Sequence, residues 1–202
     1  MTAAPRSDAL SANQFSELLS ATQGPLYGFV RRLVGAEEEA RDLVQDVFVD
    51  AWRLARRAEP PFAALEDMAN GGIRRWLFHA AYCAAVSALR HRGVIAWESL
   101  DAPDAPTLDR ADDAPAFDTR IVDRDALVTA LVELPPPEVA ALLLNIVYGF
   151  PSPEIARILD ITPDAARKRL SRGMQRLRAA YFAREDPATG RERHERKERP
   201  TR

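Results

Sequence analysis

The sequence predicts an all-α protein of two small helical domains joined by an acidic linker. Apolar residues recur with a helical period in almost every segment outside one central stretch and the C-terminal tail. No strand-like alternation bounded by hairpin signals occurs. Between Glu98 and Asp118 acidic residues and prolines dominate, with Arg110 as the single basic residue. We therefore predict a domain over residues 10–97, a linker over 98–120, a domain over 121–184 and a charged, disordered tail over 185–202.

Composition and charge exclude several classes of protein. The chain has 202 residues, a net charge of −2 and a hydrophobic content of 47%, as in ordinary globular proteins. Its longest apolar run, residues 139–150, is too short to span a bilayer, and no signal segment opens the chain, so we expect a cytoplasmic protein without membrane insertion. One cysteine and three scattered histidines predict neither a disulfide nor a metal site, and we expect no cofactor.

The N-terminal domain is predicted to contain three helices separated by glycines. We place them at residues 14–33, with a break or bend near Gly24-Pro25, and at 37–57 and 73–92. The loop before the third helix contains Pro60-Pro61 and is predicted to hold a short helical turn at 63–68.

The C-terminal domain is predicted to contain four helices. The first two cover residues 121–133 and 137–148, and Gly149 closes the second. The last two begin at Pro153 and Pro163, because Ser152-Pro153-Glu154 and Thr162-Pro163-Asp164 each place a hydroxyl N-cap, a proline and an acid at a helix start. A helix this short, followed at once by another, indicates a helix-turn-helix.

The helix beginning at Pro163 has one apolar stripe and one basic face. The stripe consists of Ala166, Leu170, Met174, Leu177 and Tyr181. The exposed face near the helix start carries Arg167, Lys168, Ser171, Arg172 and Gln175, which is where a recognition helix contacts bases and phosphates. A merely solvated basic face is the alternative, but the preceding short helix favours DNA binding.

The helix at 37–57 carries a stripe of like charges opposite its apolar face. Asp42, Asp46 and Asp50 follow at intervals of one turn, which is unfavourable unless a basic partner covers them. Composition alone leaves two readings open in about equal measure: a docking surface for a basic partner, or a solvated helix face.

The helix at 73–92 mixes aromatic and basic residues: Trp76, Phe78, His79 and Tyr82 with Arg74, Arg75, Arg90 and Arg92. Single-stranded nucleic acid needs a π-surface for its bases and positive charge for its backbone. Core packing explains at least some of these aromatics equally well. Cys83 is most simply a small buried residue.

These helices, in this order, resemble the extracytoplasmic-function (group 4) sigma factors of bacterial RNA polymerase over roughly residues 15–181. The segment LYGFVRRLVGAEEEARDLVQDVFVDAWR is similar to the family's core-polymerase-binding region, and RRWLFHAAYCAAVSALRHR is similar to its minus-ten region. Residues 134–178 look like the domain that reads the minus-thirty-five element. The order of the motifs carries the resemblance, since no single motif is decisive.

The resemblance implies roles for individual residues. For minus-thirty-five binding they are Thr162, Arg167, Lys168, Ser171, Arg172 and Arg176. For minus-ten binding they are Arg75, Trp76, His79, Tyr82, Cys83, Arg90 and Arg92. For docking on a basic coiled coil of the largest polymerase subunit they are Asp42, Gln45, Asp46 and Asp50. The chain departs from the family at Cys83, where asparagine is common, and at Ser87, where a polar amide or an acid is common.

We therefore expect a sigma factor, which binds core polymerase and promoter DNA, is a monomer when free and is not itself an enzyme. Many members of the family are held by an anti-sigma factor, so such a protein is a further expected partner. The main alternative is a free-standing helix-turn-helix regulator, which would leave the acidic stripe unexplained. A small helical hydrolase is remote, because the sequence has no nucleophile elbow, phosphate loop or paired histidine and carboxylate.

Overall fold

A computed structural model of the chain describes residues 12–57, 71–94 and 124–183. Within these ranges no residue lies in a strand, and the all-α prediction is confirmed. The helices are α1 (Ala12–Val34), α2 (Glu37–Arg57), α3 (Gly72–His91), α4 (Arg124–Val132), α5 (Pro136–Leu142), α6 (Ser152–Leu159) and α7 (Pro163–Phe182). A single π-helical turn, Leu143–Val147, continues α5. The predicted turn at 63–68, the linker and the tail lie outside the described residues.

Helices α1, α2 and α3 pack against one another around a shared apolar core. The predicted stripe of α2 lies in that core: Ala40, Val44, Val47 and Ala51 are buried, and Leu43 and Phe48 are half-buried. The opposite face of α2 is therefore left to solvent.

Of the predicted break or bend at Gly24-Pro25, the break is wrong, because α1 runs without interruption through Pro25. Proline lacks the backbone N–H that an α-helix needs, so continuity here depends on contacts from outside the helix. The neighbouring Leu26 and Phe29 are fully buried. The Tyr148 hydroxyl also donates to the Pro25 carbonyl at 2.9 Å. Tertiary packing thus outweighs the local signal.

In the C-terminal half, α7 packs against α4, α5 and α6. The stripe predicted on α7 faces this core, with Ala166, Leu177 and Tyr181 buried and Leu170 and Met174 half-buried. Gly173 is also buried there. A Cβ at that position would lie 3.2 Å from Leu142 Cγ and Cδ1, so the missing side chain permits the close approach of α5 and α7.

One of the two predicted N-caps is confirmed. The Thr162 hydroxyl accepts a hydrogen bond from the Ala165 N–H at 3.2 Å at the start of α7. Ser152 is not the N-cap of α6: Pro151 holds that position, and its carbonyl accepts from the N–H groups of Glu154 and Ile155. Between α6 and α7, Asp160 has φ 54° and ψ 52°, the left-handed conformation that aspartate tolerates.

The two halves of the chain contact each other directly, chiefly where α3 packs against α6. Phe78 of α3 makes ring contacts with Phe150 at 5.2 Å and with Tyr148 at 4.8 Å between centroids. The apolar cores of the two halves are consequently continuous.

Candidate nucleic-acid interface

The first turns of α7 present a basic surface. The Thr162 cap begins the helix, and Arg167, Lys168 and Ser171 are exposed, as is Gln175 one turn further on. Arg167 pairs with Asp164 one turn before it. Because both partners are exposed, this pair exchanges readily with solvent and leaves the guanidinium available to a ligand. The surface fits the predicted contact with a DNA groove.

Two other arginines of the same predicted set are placed differently. Arg172 is half-buried. Arg176 Nη1 lies 2.7 Å from Glu138 Oε1, and the Glu138 side chain is only 9% exposed. Arg176 therefore neutralises a carboxylate inside the C-terminal half, in addition to its predicted role in DNA binding.

The predicted docking residues lie together on the outer face of α2. Asp42, Gln45, Asp46 and Asp50 are all exposed. Asp50 pairs with Arg53 at 2.9 Å. Asp42 and Asp46 form a negatively charged face that a basic helical surface could cover.

Three predicted minus-ten residues of α3 are engaged by the C-terminal half. Arg75 Nη1 lies 2.8 Å from Glu154 Oε1. His79 Nδ1 donates to the Ile158 carbonyl at 2.8 Å, near the C-terminus of α6. Tyr82 is 5% exposed, and its pKa is raised by burial, against the lowering effect of nearby Arg169 on α7. This face of α3 is covered.

The environment of His79 favours its charged form. Its pKa is raised from 6.5 to about 9, first by the hydrogen bond with Cys83, whose Sγ lies 3.7 Å from Nε2. The Ile158 carbonyl and Asp160 raise the pKa further, while burial lowers it. An imidazolium at the C-terminal end of a helix also complements the helix dipole.

Cys83 is exposed, which corrects the expectation that it is a small buried residue. It lies one turn from His79 on the outward side of α3, whereas Leu77, Phe78 and Ala81 take the core positions. The alternative of core packing is thus correct for Phe78.

The remaining minus-ten candidates are placed differently from one another. Trp76 is half-buried against the core, and Arg90 is half-buried near Tyr82. Arg92 Nη2 donates to the Val34 carbonyl at 2.8 Å, and its Nη1 lies 3.2 Å from Glu39. Arg92 therefore ties the end of α3 to the junction of α1 and α2.

The sequence patterns name Arg74 and Arg75 among the basic residues of their helix, but they do not predict the contacts that join the two halves. Arg74 donates to the Tyr148 carbonyl at 2.6 Å, and its guanidinium carbon lies 4.2 Å from the Phe150 ring centroid. The sequence predicts Glu154 only as an acid in the first turn of a helix. Its partner Arg75 is 79 positions away in the chain. No local spacing signals such a pairing.

Among the described residues, no cluster of three or more histidine, cysteine or acidic side chains is arranged to hold a metal ion. No described helix is both long and apolar enough to cross a membrane.

Comparison with known proteins identifies both halves. Residues 18–93 match the family Sigma-70 region 2, and residues 124–177 match Sigma-70, region 4. The RNA polymerase sigma factor CarQ of Myxococcus xanthus is 32% identical over 166 residues, covering 81% of this chain and 87% of the relative. The ECF RNA polymerase sigma factor SigE of Mycolicibacterium smegmatis is 28% identical, covering 90% of this chain and 66% of the relative.

Two solved structures share the fold. One is the sigma factor RpoE in complex with the anti-sigma factor NepR from Bartonella quintana, with a TM-score of 0.59, 24% identity and coverage of 84% of this chain and 97% of that one. The other is CnrH in complex with the cytosolic domain of CnrY, with a TM-score of 0.55, 20% identity and coverage of 86% and 90%. The two family matches and the relationships to CarQ and to the ECF sigma factor SigE show that the chain belongs to the extracytoplasmic-function sigma factors of the sigma-70 family.

Proposed function

We propose that this sigma factor docks on core RNA polymerase through the acidic face of α2 and reads the minus-thirty-five element with the start of α7. Polymerase binding and promoter recognition accompany membership of the family. The assignment to these residues is supported by the exposure of Asp42, Gln45 and Asp46 on one side of a helix whose other side is buried. That arrangement is the observation on which the docking assignment rests.

The alternative of a free-standing helix-turn-helix regulator is not retained. The chain matches region 2 as well as region 4, and its relatives are named as polymerase sigma factors. In the proposed role the chain has no reaction of its own, since RNA synthesis belongs to the core polymerase. It acts in the cytoplasm, where the polymerase is, and needs no cofactor.

We also propose an anti-sigma protein as a partner. The support is the shared fold with a sigma factor solved in complex with its anti-sigma factor. The domain limits predicted from the sequence, 10–97 and 121–184 on a linker over 98–120, remain part of the same proposal.

The docking assignment is tested by reversing the charge of the stripe. Asp42→Arg with Asp46→Arg should abolish capture of the protein by immobilised core polymerase, because two attractive contacts become repulsive. Both side chains are exposed, so the fold should survive. Glu17→Arg with Glu133→Arg makes the same charge change at exposed positions outside α2 and serves as the control. Wild-type capture of the stripe variant would refute the assignment.

A further inference from the structure

We propose that Asp164 is a positioning residue for promoter reading: it holds the Arg167 guanidinium towards base edges and makes phosphate contacts by that guanidinium unfavourable. The inference rests on the proposed function, since it takes the base-reading role of α7 from it. Sequence reasoning accounts for Asp164 only as a first-turn acid that complements the helix dipole.

Asp164 is the single acidic residue of α7, a helix whose other charged side chains are all basic. A carboxylate is repelled by DNA phosphates, so an acid at the start of a recognition helix lowers the affinity for every duplex. Helix initiation is already provided for, because Thr162 accepts from the Ala165 N–H and Pro163 occupies the first helical position. A second role for Asp164 offsets its effect on affinity.

Asp164 forms an ion pair with Arg167, one turn further along the same helix. In this pair Arg167 Nη2 donates to Asp164 Oδ1. A guanidinium has N–H donors on more than one edge, so one edge can meet a carboxylate while another stays free for a bidentate partner. The pair also draws the Arg167 side chain back towards the helix N-terminus, the end at which a recognition helix contacts base edges.

The pair is weak in the free protein, because the Arg167 and Asp164 side chains are 61% and 75% exposed. Entry into the major groove removes water from both groups and strengthens their attraction. The carboxylate then repels neighbouring phosphates, and guanine O6 and N7 are the acceptors that suit the free edge of the guanidinium. Discrimination between sequences is thus gained while overall affinity is lowered, as when an unfavourable group excludes wrong partners.

The test compares variants of the full chain assembled with core polymerase. Asp164→Asn removes the carboxylate charge and keeps the size of the side chain, and it is made alone and together with Arg167→Ala. Asp164→Glu retains the charge. Asp160→Asn is the matched control, because Asp160 is also exposed, lies just before α7 and undergoes the same chemical change, and asparagine tolerates its left-handed backbone.

The wild-type complex first selects a duplex from a random-sequence library, and this duplex and a scrambled version of it are then the probes. Discrimination is the ratio of the two dissociation constants, measured by fluorescence anisotropy. Asp164→Asn should lower discrimination roughly 3- to 10-fold, a part of the value of one bidentate base contact. Its binding to the scrambled duplex should tighten and depend more steeply on salt, because the phosphates no longer meet a repelling charge. Asp164→Glu and Asp160→Asn should keep wild-type discrimination.

The outcomes separate the positioning role from the function on which it rests. Loss of discrimination in Arg167→Ala but not in Asp164→Asn would overturn the positioning role and leave the proposed function standing. An equal loss in Asp160→Asn would overturn it as well, since charge alone would then be responsible. A further loss from Asp164→Asn in the Arg167→Ala background would also overturn it, because Asp164 would then contact bases itself. Full discrimination by Arg167→Ala, or no sequence selected by the wild-type complex, would refute the proposed base reading and the inference with it.

Discussion

Removing the guanidinium of Arg176 should destabilise the C-terminal half, because Glu138 then loses its partner. The Glu138 side chain is 9% exposed and the Arg176 side chain is 55% exposed, with 2.7 Å between Nη1 and Oε1. In Arg176→Ala the carboxylate stays where water reaches it poorly. The charge must then be borne unpaired or neutralised by a proton.

The magnitude follows from the unequal exposure of the two partners. Breaking a fully buried ion pair costs about 3–5 kcal/mol, whereas breaking an exposed pair costs up to about 1 kcal/mol. Here one partner is buried and the other is half in solvent. We therefore expect Arg176→Ala to lower the free energy of unfolding by about 1–2 kcal/mol.

A double-mutant cycle on the full chain tests this expectation. Arg176→Ala, Glu138→Gln and the double variant are unfolded in urea and followed by far-ultraviolet circular dichroism. In the Glu138→Gln background, Arg176→Ala should cost less than half as much, because no buried charge remains. Equal costs in both backgrounds would refute the reasoning. Arg176→Ala should also lower the salt dependence of DNA binding, the slope of log K against log salt concentration. The decrease should be less than the roughly one unit expected on loss of a free phosphate contact, because the guanidinium is already paired with Glu138.

Three further predictions concern single side chains. Arg167→Ala should cost roughly 1–3 kcal/mol on the preferred minus-thirty-five duplex but little on scrambled duplexes, as measured by anisotropy; equal losses would exclude base reading. Gly173→Val should destabilise by about 1–3 kcal/mol in thermal unfolding, because even a Cβ lies 3.2 Å from Leu142, and an unchanged melting temperature would contradict this. Protonated His79 should stabilise the fold fully below pH 6.5, and this stabilisation should be lost as pH rises to about 9, because folding raises the pKa of His79. The difference in melting temperature between the wild-type protein and His79→Gln should shrink over that window.

Much of the helical architecture is determined by short-range features of the sequence. The proline-containing starts of α6 and α7, the Thr162 cap and the apolar stripes of α2 and α7 act over one or two turns, so periodicity and capping rules predict them. The exposure of Asp42 and Asp46 follows from the same reasoning, because a helix that buries one face must expose the other.

Local rules fail where contacts from another part of the chain decide the outcome. Pro25 should interrupt α1, yet burial of its neighbours and the hydrogen bond from Tyr148 keep the helix continuous. Gly173 looks like a weak point in α7, but it is the place where α5 approaches. Neither effect has a signature within one helical turn.

The sequence by itself determined the helices, the helix-turn-helix and the two charged faces of α2 and α7, because each depends on spacing along one helix. Only the tertiary structure decided that Arg75 and His79 are held by α6 and that Arg176 is held by Glu138. Those partners lie 79, 79 and 38 positions away in the chain. Whether such distant groups meet depends on how whole helices pack, which no single segment encodes.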